Sequence, residues 1–111
     1  MSEQKPAKPS RQQVYTLLVQ VGRTKDDGLP EGSTGGALLC YASGIDEAEA
    51  VRETVAILKQ ADLAVLEVEG YGTLEDQKQA GAEIGAEDEA LMQRAFEENS
   101  VIVAQMTPFF D

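Results

Sequence analysis

The stretch Val14-Tyr15-Thr16-Leu17-Leu18-Val19-Gln20-Val21 carries the pattern on which the fold turns. Tyr15, Leu17, Val19 and Val21 are apolar at alternate positions, with Thr16 and Gln20 between them. A period of two with β-branched enrichment predicts a strand with one buried face. Gly22 closes it. Further along, Ala37-Leu38-Leu39-Cys40-Tyr41-Ala42 is apolar throughout, as suits a strand in the centre of a sheet or covered on both faces. Asp46 followed three residues later by Glu49 has the spacing of a helix N-cap and its capping box. Ala48, Val51, Val55 and Leu58 then recur at helical intervals and predict a helix that ends near Ala61. Leu63-Ala64-Val65-Leu66-Glu67-Val68-Glu69 returns as a strand, with Ala64, Leu66 and Val68 on one face and Glu67 and Glu69 on the other. A strand–helix–strand run with short links places its two strands parallel through a right-handed crossover.

Residues 70–85 are punctuated by Gly70, Gly72, Gly81 and Gly85, with room for a short helical turn around Glu75 to Ala80. A second helix is expected from Glu87 to Asn99. Leu91 and Ala95, with Met92 and Phe96, form i, i+4 pairs, and Glu87, Asp88 and Glu89 lie in the first turn, where the helix dipole favours them. Ser100 to Met106 reads as the last strand, stopped by Pro108. The apolar tail Phe109-Phe110 is expected to dock on the body or on a partner subunit. The order is β-β-α-β-α-β. If the first strand fills the gap between the second and third, the sheet order becomes 4-2-1-3. The expected fold is then a single-domain α+β two-layer sandwich with two helices on one face, and it resembles a permuted ferredoxin-like plan. A mixed sheet with the first strand at an edge is the alternative. Residues 1–12 read as a disordered leader and 13–111 as the domain. In the leader Lys5, Lys8 and Arg11 outnumber Glu3, and Pro6 and Pro9 interrupt it.

With 111 residues the chain suits one domain, and an apolar share of 42% is enough for a core. Twenty acids against nine bases give a formal charge of -11. Most of it lies in the second half: residues 63–111 hold eleven acids and two bases. Such a surface repels phosphate backbones and anionic lipid, so neither nucleic acid nor membrane is an expected partner. There is no histidine, which removes the commonest general base and the commonest metal ligand. A single cysteine, Cys40, forms no internal disulfide. No apolar run reaches a membrane span, and the first residues lack a signal-peptide core, so a cytoplasmic location is expected.

Two groups of residues invite a functional reading. The loop Gly32-Ser33-Thr34-Gly35-Gly36 superficially resembles a phosphate cradle, but a P-loop needs a lysine and a following helix. Here a strand follows, and a hairpin connection is the simpler account. The acids Glu83, Glu87, Asp88 and Glu89 lack the alternating ligands of a calcium loop and read as solvated charge. No catalytic residue, cofactor or metal ligand is therefore singled out, and Cys40 reads as a buried structural thiol. Leu18, Val65, Phe109 and Phe110 are expected near one another on the uncovered sheet face, as an interface for a homodimer. The expected function is a small acidic, non-catalytic protein-interaction or regulatory module, paired with itself or with a basic protein. The alternatives are a small-ligand-binding domain using the glycine-rich 28–36 loop and a small dimeric α+β enzyme.

Overall fold

A computed structural model describes residues 12–110, so the expected leader lies, but for residue 12, outside the described residues. The first strand, β1 (Gln13–Gly22), is paired on both sides: antiparallel to β2 (Gly35–Gly44) and antiparallel to β3 (Ala64–Thr73). The last strand, β4 (Val101–Phe109), pairs antiparallel to β2 at the outer edge. The sheet order is β3-β1-β2-β4, which is the expected 4-2-1-3 order read from the other edge. β1 occupies the gap in the β2–helix–β3 crossover, and its alternation follows: Leu17, Val19 and Val21 are buried on one face.

Among the described residues three helices complete the α+β domain: α1 (Glu47–Gln60), α2 (Leu74–Gln79) and α3 (Ala86–Glu98). α1 starts as its cap residues dictate. The Asp46 carboxylate accepts from the Glu49 N–H at 2.8 Å, and Glu49 Oε1 accepts from the Ile45 N–H at 2.8 Å. Its buried line is Ala50, Thr54 and Leu58, flanked by half-buried Val51 and Val55. The expected stripe through Ala48 is thus rotated by a fraction of a turn. Thr54 can face the core because its hydroxyl donates back to the Ala50 carbonyl at 2.8 Å. α1 packs on Leu17, Val19, Leu38, Cys40 and Ala42.

The placement of α3 differs from the expectation of two helices on one face. Met92 and Ala95 pack on Tyr41, with Val14, Leu39 and Ile102 around them, and these strand residues point opposite to Cys40 and Ala42. α1 and α3 therefore cover opposite faces of the sheet. The fully apolar β2, buried on both sides along most of its length, is the sequence feature that demands it. The Tyr41 hydroxyl donates to Asp88 Oδ1 at 2.9 Å and ties β2 to the first turn of α3. α2 lies on the same side as α3, where Gln77 Nε2 donates to Thr16 Oγ1 at 2.9 Å. A reciprocal capping box between Thr73 and Asp76 starts α2, one residue ahead of the expected turn.

β3 is bulged twice. Val21 pairs with Val65 but Gln20 pairs with Glu67, so Leu66 is the extra residue, and it is 69% exposed. Between Leu17, opposite Gly70, and Tyr15, opposite Thr73, the chain makes its second irregularity, at Gly72 with φ +82°. The bulge at Leu66 breaks the expected face of Ala64, Leu66 and Val68. Val65 and Val68, not Leu66, pack against the α1 core.

Candidate functional site

The loop between β1 and β2 is a closed polar network. Asp27 accepts from Arg23 Nε at 2.8 Å, from the Thr24 N–H at 2.7 Å and from the Leu29 N–H at 2.9 Å. The Arg23 guanidinium also donates to the Ser33 carbonyl at 2.5 Å and to Ser33 Oγ at 3.0 Å. The hydrogen bond from Arg23, and then those from the two backbone amides, hold the Asp27 carboxyl well below the usual carboxylate range. Leu29 drops from the loop into the core. The residues named as a ligand loop are bound into this arrangement. The Ser33 N–H donates to the Pro30 carbonyl at 3.1 Å, and the Thr34 N–H donates to the Phe109 carbonyl at 2.8 Å. Gly32 turns the chain with φ +89°. Gly35 and Gly36 lie in β2, where a Cβ would stand 2.5 Å from the Val21 carbonyl oxygen and 3.0 Å from the Thr107 carbonyl oxygen. These two glycines let three backbones approach one another, and the amides of Ser33 and Thr34 are already engaged.

The four residues named as an interface do not form one patch. Leu18, half-buried, lies on the face that carries α3, whereas Val65 packs against α1 on the other side. The physical reason is the extra residue at Leu66, which shifts Val65 by one position in the pleat. Phe109 and Phe110 are 41% and 58% exposed at the end of β4. They belong to a different set of exposed apolar residues. Val103 and Met106 are 46% and 40% exposed on β4, and Ile57 is 41% exposed on α1, which contacts that strand's start near Val101. The nine residues of β4 include no charged side chain. At the opposite edge, β3 carries Glu67, Glu69 and two bulges. Charges and bulges are the devices that keep an edge strand from pairing with another chain. β4 has one bulge, at Ala104 opposite the Leu39–Cys40 step, and Pro108 near its end. Of this set, sequence reading reached only Phe109 and Phe110. The uncharged run Val101 to Phe109 was the available signal for the rest.

A groove of about 400 Å³ lies between α2, α3 and the start of β1. Met92, Phe96, Leu74 and Val14 supply its apolar surface, with Glu75 and Glu89 beside them. A second depression, about 420 Å³, continues over α2 and shares Leu74 and Glu75 with the first. Lys78 bridges α2 to α3 through Glu89 at 3.2 Å. The sequence pairs Leu91 with Ala95 and Met92 with Phe96 on one face of the helix. In the structure Met92 and Ala95 are buried, while Phe96 is only half-buried and lines the groove.

Cys40 is fully buried, and burial pushes its thiol up to about 11. Tyr41 is pushed up to about 12, by burial first and then by its bond to Asp88. A thiol so shifted is protonated at neutral pH and is a poor nucleophile. Among the described residues no group of three or more acidic, cysteine or histidine side chains is arranged to hold a metal ion. None of the described helices is long and apolar enough to cross a membrane.

No curated protein and no solved structure matches the chain. Residues 14–110 match a family described as a domain of unknown function, DUF8846. The match runs from the first apolar residue of β1 to Phe110, just past the end of β4, and so takes in all but the first residue of β1 and the whole of the other strands, with the pinned loop between β1 and β2. The chain belongs to the DUF8846 family.

Proposed function

We propose that the protein is a small acidic, non-catalytic interaction module that works as a homodimer, joined edge to edge through β4. The observation that carries this reading is the uncharged edge strand of a chain with a formal charge of -11. Val103, Met106 and Phe109 stand exposed on it, Ile57 lies close by on α1, and Phe110 extends the apolar surface past its end. An edge strand without charges is a template for a further strand. A second copy supplies one by two-fold symmetry, β4 against β4, because an isologous contact satisfies both edges at once. The stretch Val101–Thr107 precedes Pro108, which has no N–H to offer. Pairing there buries no carboxylate, and the charged remainder of the surface stays in water.

Like charge opposes the dimer, since each copy brings -11. Association should therefore tighten as salt screens the repulsion. Sedimentation equilibrium at low and moderate salt tests this, and a strict monomer in both would overturn it. The ligand-binding alternative through residues 28–36 has less support, because the loop's own groups consume the amides of Ser33 and Thr34. We place the protein in the cytoplasm, a reducing compartment that suits its lone buried thiol.

A further inference from the structure

Eight acids and only two bases, Lys78 and Arg94, lie between Leu74 and Glu98. This segment of 25 residues, α2 to α3, thus contributes -6 of the chain's -11. The same two helices frame the groove over Val14, Leu74, Met92 and Phe96 and the second depression that continues from it over α2. An apolar trough within an acidic border is a specific pairing. Its floor rewards large apolar side chains, and its border rewards cations beside them.

We infer that this groove docks a basic segment of a partner protein, one that presents two large apolar side chains flanked by Lys or Arg. The inference rests on reading the protein as an interaction module, but not on its dimer, because the groove and the β4 edge are separate surfaces. The shape favours a peptide over a compact small molecule. The two depressions adjoin at Leu74 and Glu75 and together form an elongated, open trough: Val14, Met92 and Phe96 floor the first part, Leu74 is shared, and Lys78 and Gln79 line the second. A small-molecule pocket encloses most of its ligand. An amphipathic segment lays successive anchors along a groove and leaves its far side in water. Charge complementarity selects the flanks. Glu75 is exposed beside the first anchor position and makes no ion pair among the described residues. Glu89 is held by Lys78, and an incoming arginine can share its carboxylate. An acidic segment would be repelled by Glu75 and Glu89, and a neutral one would leave both carboxylates unmatched.

The test uses the full chain, isotope-labelled for amide NMR, and three synthetic peptides. The first places a Leu pair between Lys residues, the second replaces the Leu pair with Ser, and the third replaces Lys with Glu. The expected result is saturable shifts at Leu74, Gln93 and Phe96 with the first peptide alone. Affinity should fall with salt, and by about tenfold in a Glu75→Gln/Glu89→Gln double variant whose melting curve is otherwise near that of the parent. Equal binding of the Ser peptide would reduce the effect to bulk charge and overturn the inference. So would saturable shifts that map to β4, or no saturable shifts at all. A chain that is monomeric in sedimentation yet binds the first peptide in this way refutes the dimer and keeps the groove.

Discussion

Removing a single oxygen atom from Tyr41 should weaken the domain measurably. Its side chain is 3% exposed, and its hydroxyl donates to Asp88 Oδ1 at 2.9 Å. That bond joins the central strand β2 to the first turn of α3, on the face of the sheet opposite α1. Hydrogen bonds to charged groups contribute about 1.5–3 kcal/mol. Asp88 is only half-buried, so water can take over part of its solvation once the hydroxyl is gone. The lower part of that range therefore applies, and Tyr41→Phe should cost about 2 kcal/mol. For a domain of this size that corresponds to a fall of about 10 °C in melting temperature. Asp88→Asn supplies the control, because its side-chain oxygen still accepts the bond. It should cost less than Tyr41→Phe. Asp88→Ala should be as damaging as Tyr41→Phe, since it leaves a buried hydroxyl without an acceptor. Urea unfolding followed by circular dichroism gives the three values, and an unchanged slope would confirm that the unfolded states are comparable. If Tyr41→Phe lies within about 0.5 kcal/mol of the parent, the range of an ordinary surface change, α3 is not fastened to β2 in this way.

Three further outcomes follow from the fold. Val19 is fully buried in β1 between two partner strands, so Val19→Asp should abolish cooperative unfolding; a soluble, cooperatively folded variant would mean that β1 is not central. Gly35→Ala puts a Cβ 2.5 Å from the Val21 carbonyl oxygen, which is backbone and cannot swing aside, and should cost about 1–3 kcal/mol in a denaturation midpoint. Asp27 is held below its ordinary value in the folded state, so its contribution is fully present above the unfolded carboxylate value near ~4 and is lost as pH falls through and below it. The parent should thus lose stability between about pH 5 and pH 3 more steeply than Asp27→Asn, and parallel curves for the two proteins would contradict the loop network.

The strand order was legible because the two central strands announce themselves. The unbroken apolar run at Ala37–Ala42 marks a central strand, and the alternating strand of Tyr15, Leu17, Val19 and Val21 fits the gap that the strand–helix–strand crossover leaves beside it. The same apolar run held the clue to the placement of α3. Leu39 and Tyr41 needed a cover of their own, and α3 supplies it. The bulge at Leu66 was not legible, because Val-Leu-Glu-Val fits a regular strand in either register. Its position is decided by pairing with β1, a long-range constraint that outweighs local alternation. The glycine-rich loop offered a familiar motif, yet its glycines answer to backbone crowding beside Val21 and Thr107. The interface surface was half visible, through Phe109 and Phe110. Its remainder, Val103 and Met106, looks like ordinary strand sequence until β4 is known to be an edge.

The most direct measurement for the central claim is sedimentation equilibrium on the full chain and on a Met106→Lys variant, at low and at moderate salt. Met106 is 40% exposed, so the substitution leaves the core intact and places a charge on the edge strand. The account predicts a monomer–dimer equilibrium for the parent that tightens with salt, and a monomer for the variant with an unchanged melting temperature measured at concentrations where the parent is also dissociated. A parent that is monomeric at both salt concentrations, or a variant that dimerises as the parent does, would contradict it.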